Sequence, residues 1–230
     1  MMEVILTISK QLFMRKRWLL VVFAVLGGTV AKSQNSTINP VTAQSEIDAF
    51  KSALTNETAI VNDIKADFVQ TKTVDFLDEA VISSGTLYFA TGKRLRWEYQ
   101  KPYSFVFILN GAKAWMVNQG ATTELDVNTN KMLKELSELM LFGMGGTALF
   151  ENPNFDFSFG RSQKQWRVCL KPKSKEMKTL YTQIEVFFAL PTHQMESVRM
   201  VEVSGDETLI HLTNQKINTL LPDTLFDGKR

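Results

Sequence analysis

From residue 64 onward, apolar and polar positions alternate with a period of two. Ala66 and Phe68 fall on one side of the first stretch, with Lys65, Asp67 and Val69 on the other. The same alternation predicts strands over 81–90, 94–100, 104–110, 113–118 and about 122–127. Asn110-Gly111 separates two apolar runs and predicts a tight hairpin, because both residues tolerate positive φ. After a break the alternation returns in Phe155, Phe157 and Phe159. It continues over 166–170, 183–189, 195–204 and 208–213, with turns at Pro191-Thr192 and Gly205-Asp206.

Two stretches follow a helical period instead. Ser45, with Asp48 three residues on, reads as a helix start, and Ile47, Phe50, Lys51 and Leu54 then share one face. Over 131–142, Met132, Leu133, Leu136, Leu139 and Met140 fall on one side. Lys131, Lys134, Glu135 and Glu138 sit mostly on the other, and Gly143-Met144-Gly145-Gly146 ends the helix. Residues 34–40 read as a flexible leader. Strands, one helix, then strands, without β-α-β alternation, predict a mainly β (α+β) fold: a single antiparallel sheet with a few helices packed on it.

The N-terminus changes the picture of charge and place. Arg15, Lys16 and Arg17 precede an apolar run from Trp18 to Val30, and Ala31-Lys32-Ser33 puts small residues before a cut at Ser33/Gln34. Residues 1–33 therefore read as a secretory signal peptide, with 1–13 as an unused upstream start. The apolar run is shorter than the roughly 20 residues that span a bilayer. The segment holds Lys10, Arg15, Lys16, Arg17 and Lys32 against Glu3. With +2 on the whole chain, residues 34–230 are left near −2. Lys171, Lys173, Lys175 and Lys178 are scattered around Pro172 and Glu176, so no basic stripe for nucleic acid is expected.

Catalytic patterns do not emerge. The chain has 2 His and 1 Cys. His193 and His211 have no ligand-type neighbours at zinc spacing, so neither a metal site nor a cofactor is expected. Cys169 rules out an internal disulfide and reads as a small buried residue. A nucleophile elbow and a phosphate loop are both missing, and the Gly143–Gly146 cluster follows a helix rather than a strand. The expectation is a protein that is not an enzyme.

Four motifs occur in order: Phe68-Val69-Gln70, Ser84-Gly85-Thr86-Leu87, Arg96-Trp97-Glu98-Tyr99-Gln100-Lys101-Pro102, and Asn110-Gly111-Ala112-Lys113-Ala114-Trp115. Together they resemble the periplasmic outer-membrane lipoprotein carrier family (LolA-like), and Leu212 to Asn218 with Leu225-Phe226 resembles its final strands. The resemblance covers about 45–226. It implies an unclosed, curved β barrel whose concave apolar face is covered by helices and takes acyl chains. It also implies a periplasmic monomer that receives lipoprotein from an inner-membrane ABC-type release complex and passes it to an outer-membrane acceptor.

Within that frame Phe68, Leu87, Phe89, Leu95, Trp97, Phe105, Phe107 and Leu109 are expected to line the acyl cavity. Met140 and Phe142 would form the lid, hinged at Gly143, Gly145 and Gly146. Both faces of the 105–109 run are apolar, so its second face must pack on core or form an interaction surface. Two departures stand out. Thr91-Gly92 occupies the place of the family's basic latch residue and following Pro, and the chain end predicts a short or missing last strand. The alternatives are a carrier of another lipid (a glycolipid or lipid-linked pigment) and a lipoprotein-sensing domain. Such a sensor is expected to carry a second domain, for which the length leaves no room.

Overall fold

The structure is a computed structural model; it describes residues 37–75, 77, 79–141 and 148–228. The expected signal peptide, Phe142, Gly143, Gly145 and Gly146 lie outside the described residues.

One antiparallel sheet of twelve strands organises the described residues, in the order β1-β8-β9-β10-β11-β12-β2-β3-β4-β5-β6-β7. Its strands are β1 (Asn39–Val41), β2 (Asp63–Thr73), β3 (Val81–Ala90), β4 (Arg94–Lys101), β5 (Phe105–Asn110), β6 (Lys113–Asn118), β7 (Ala121–Asp126), β8 (Phe155–Arg161), β9 (Gln165–Pro172), β10 (Tyr181–Ala189), β11 (Met195–Glu202) and β12 (Glu207–Ile217). Strands β1 and β7 are both edges, so the sheet stays unclosed. Its helices are α1 (Gln44–Ala59), α2 (Lys131–Leu141) and the single-turn α3 (Lys175–Lys178).

Sequential hairpins build most of the order. Thr91-Gly92-Lys93 and Asn110-Gly111 turn β3 into β4 and β5 into β6, with positive φ at Gly92, Lys93 and Gly111. The closing pair, β12 with β2, joins the two ends of the domain over a long register with one irregularity after Thr213. Residues 39–41, which overlap the end of the stretch read as a leader, pair with β8 instead. Ile38 lies against the bare backbone of Gly160 there.

Helix α1 packs on β8–β10. Phe50 stacks on Trp166 at 4.5 Å and meets Phe159 and Phe188 edge-on. Helix α2 departs from its sequence pattern: Glu135 is buried along with Leu133, Leu136 and Leu139. Its carboxylate finds a donor in the Ser174 hydroxyl, 2.6 Å away. A charged group tolerates burial when it is bonded in this way.

As expected from the chain end, no strand follows β12 among the described residues: β12 runs eleven residues, and the segment after it forms a strap ending in a 3-10 turn at Asp223–Phe226. Phe226 is fully buried with Ala90, Val106 and Ile108, and Tyr88, Trp115, Val117, Leu221 and Leu225 pack around them. The second apolar face of β5 is thereby core, and the chain's own end supplies its cover.

Candidate functional site

Register decides which side chains share a face, because directly paired residues point the same way. Ala66, Leu87, Trp97, Phe107 and Met116 form one unbroken row from β2 to β6. Ile64, Phe89, Leu95, Leu109 and Ala114 form the next row toward the β3–β4 and β5–β6 turns. On the opposite side of the Trp97 row lie Phe68, Gly85, Tyr99 and Phe105. All the sheet residues singled out by sequence therefore fall on one face. It is the face that α1 covers on β8–β10, since Val168, Val186, Val198, Ile210 and Gln70 continue the same side from β9 to β2.

The eight sheet residues singled out by sequence are all buried, and Leu87, Leu95 and Phe107 entirely so, while Tyr99, Met116 and Val198 on the same face are half-buried. Gly85 has a local reason for lacking a side chain: a Cβ there would lie 1.8 Å from the Glu98 carbonyl oxygen and 3.0 Å from the Phe68 ring. The bare backbone lets Phe68 and Tyr99 meet edge-on at 5.0 Å. The Tyr99 hydroxyl donates to Gln70 Oε1 at 2.8 Å, a polar partner that the apolar pattern alone did not reveal. Met140 is half-buried at the end of α2.

Polar bonds hold α2 at its margin. Besides the Ser174–Glu135 bond, Lys131 pairs with Glu176 at 2.8 Å and Asn152 donates to Glu138 at 3.2 Å. Sequence reasoning placed these α2 carboxylates on a solvent face. Their partners lie 39 and 14 residues away, too distant for local pattern to find.

At the place of the family's basic latch, Thr91 donates its backbone N–H to the Asn62 carbonyl, and Arg94 turns away from the inner face. Its guanidinium lies over the Phe226 ring and pairs with Asp223 of the strap. Cys169 is buried, and that burial pushes its thiol up from the ordinary value. No group of His, Cys, Asp and Glu that could hold a metal ion occurs among the described residues. No described helix is long and apolar enough to cross a membrane.

The described residues form an unclosed antiparallel sheet with a wide apolar inner face, part of it under α1. The chain belongs to the family described as "Outer membrane lipoprotein carrier protein LolA", which matches residues 59–229. It is 27% identical over 178 residues to the outer-membrane lipoprotein carrier protein of Legionella pneumophila (strain Corby), covering 72% of this chain and 82% of that one. It is 26% identical over 165 residues to the carrier of Methylococcus capsulatus, covering 71% and 75%. Among solved structures it is similar to a LolA superfamily protein from Nitrosomonas europaea, at 9% identity and a TM-score of 0.42, covering 81% of this chain and 98% of that one. The family is one of carriers, not of enzymes.

Proposed function

We propose that this protein carries lipoproteins through the periplasm from the inner to the outer membrane, shielding their acyl chains against the inner face of its sheet. The observation that carries the reading is the set of aligned apolar rows, Leu87–Trp97–Phe107 and Phe89–Leu95–Leu109, on one face of a sheet whose edges do not meet. Burying acyl chain is worth about 0.8 kcal/mol per CH₂, so a few buried carbons give useful affinity without directed polar chemistry. In this reading the buried apolar rows are reached by an acyl chain that displaces a helical lid. Met140 and Phe142 belong to that lid, with Gly143, Gly145 and Gly146 as its hinge.

In this reading residues 1–33 direct export and are removed at Ser33/Gln34. The monomer then takes cargo from an inner-membrane ABC-type complex, releases it to an outer-membrane acceptor and performs no catalysis. Binding of a fluorescent triacylated lipopeptide by the processed protein tests the proposal. Wild type binds it, and folded Phe107→Glu does not, because the lipid would have to be accommodated beside a buried charge. Undiminished binding by a folded Phe107→Glu protein removes the inner face from the account. The Thr91-Gly92 turn in place of the basic latch favours a second reading, carriage of another lipid. Mass spectrometry of lipid co-purified with the native protein separates the two.

A further inference from the structure

The inner face is not uniformly apolar, and a stranded donor on it sits where an acyl lipid changes character. Trp97 is 8% exposed, and its Nε1 is buried with no hydrogen-bond partner. An indole N–H can only donate. Its register neighbours are Leu87 and Phe107, and the Phe68 ring lies 5.3 Å from its own, so the surroundings it packs against are hydrocarbon. For packing alone a phenylalanine would serve without stranding a polar atom. The contrast within the same sheet is direct: Trp115, on the outer face, donates its Nε1–H to Glu124 at 2.9 Å, and the Tyr99 hydroxyl is bonded to Gln70.

The position of that donor matters as much as its isolation. Toward the β3–β4 turn, the neighbouring row is Ile64, Phe89, Leu95 and Leu109, without a polar side chain. In the other direction along β2 and β3 come Tyr99, then Gln70 with Ser83, then Lys72 beside Thr208. Lys72 is buried and ion-paired to Glu202, and the Thr208 hydroxyl is a second fully buried group with no partner. The face therefore runs from hydrocarbon, through the unpaired Trp97 donor, to polar groups. An acylated lipid has the same sequence: tail, carbonyl, head.

Resting on the carrier reading above, we infer that the Trp97 indole N–H donates a hydrogen bond to the carbonyl that joins an acyl chain to the ligand's head, with the tail running toward Phe89, Leu95 and Leu109. The ligand class is acyl esters and amides, and the ether-linked equivalents are discriminated against. A carbonyl oxygen accepts and does not donate, which matches the indole.

The test uses the processed full chain and two fluorescent lipopeptides with one peptide head, one carrying two ester-linked hexadecanoyl chains on glycerol and the other two ether-linked hexadecyl chains. Wild type binds the ester probe about fivefold more tightly, the effect of one hydrogen bond to a donor otherwise stranded. Trp97→Phe abolishes the preference for the ester probe, whatever its effect on the affinity shared by both probes. In wild type the Trp97 indole N–H resonance moves on binding the ester probe and not on binding the ether probe, a readout independent of how well the variant folds. Equal affinities in wild type, a preference that survives Trp97→Phe, or an indole resonance indifferent to the linkage overturns the inference and leaves the carrier reading standing. Failure of wild type to bind either probe overturns both.

Discussion

The inner face of strands β3–β6 is largely apolar, whereas the outer face mixes Val106, Ile108 and Trp115 with Arg96, Glu98 and Lys113, and the two are covered differently. On the outer face, Tyr88, Arg96, Ile108 and Trp115 form a row through successive strands, and the chain's own end lies over it. That strap is anchored throughout. Asp63 accepts from the backbone N–H and hydroxyl of Thr219 and from the N–H of Leu220, all within 3.0 Å. Asn110 donates to the Phe226 carbonyl, Arg94 grips Asp223, and Gly228 lies so flat on Trp115 that a Cβ would come 2.2 Å from its ring. The inner face differs: α1 packs Phe50 on β8–β10, α2 is held by polar bonds from Lys131, Glu135 and Glu138, and the Trp97 indole N–H on the same face has no acceptor. In the carrier reading the pinned strap is permanent core, and the inner face is where a ligand enters.

The sharpest way to break the comparison is Phe226→Ala. Truncating a fully buried aromatic costs about 3–5 kcal/mol, read as a lowered denaturant midpoint, while lipopeptide affinity per folded molecule stays at the wild-type value. Reduced affinity in that variant would show that the outer face takes part in binding. Asp63→Ala has the next largest effect: three donors lose their acceptor and stability falls by about 1–3 kcal/mol.

The same carboxylate gives the strap a pH dependence. Burial pushes the Asp63 carboxyl up, but the hydrogen bonds from Thr219 and Leu220 outweigh it and leave it below its ordinary value of 3.8. Its folded pKa is depressed, so its contribution is complete above the unfolded value and is lost as pH falls from there through the folded value. Acid unfolding of wild type below pH 3.8 should therefore carry a component that Asp63→Ala lacks. The smallest effect is expected on the inner cover. Ser174→Ala removes the donor to Glu135 and lowers stability by about 1 kcal/mol, and it speeds uptake of a fluorescent fatty acid in stopped flow. Unchanged uptake would mean that the Glu135–Ser174 bond does not restrain opening.

Much of this architecture was legible in the sequence because a half-buried strand writes its burial as alternation. Phe105, Phe107 and Leu109 against Val106 and Ile108 specify β5 and both its faces, and Asn110-Gly111 its hairpin. What could not be read depended on partners distant in sequence. Leu221, Leu225 and Phe226 form no strand pattern, so only the structure shows them closing the outer face of β5. Asn39–Val41 is too short to show a period, and its pairing with β8 supplies the missing order. Glu135 looked solvent-facing from its charge, because its donor lies 39 residues on. The Trp97 motif was visible, but the isolation of its N–H is a property of packing, which sequence does not spell out.

The central claim, that lipid meets one face of this sheet and not the other, is tested most directly by site-specific photocrosslinking in the periplasm. A photoreactive phenylalanine analogue is placed in turn at Leu87 and Phe107 on the inner face, and at Tyr88 and Trp115 on the outer. The account predicts lipoprotein adducts, joined through the acyl chains, from the first pair and none from the second. Adducts from the outer positions, or equal yields from both faces, would contradict it.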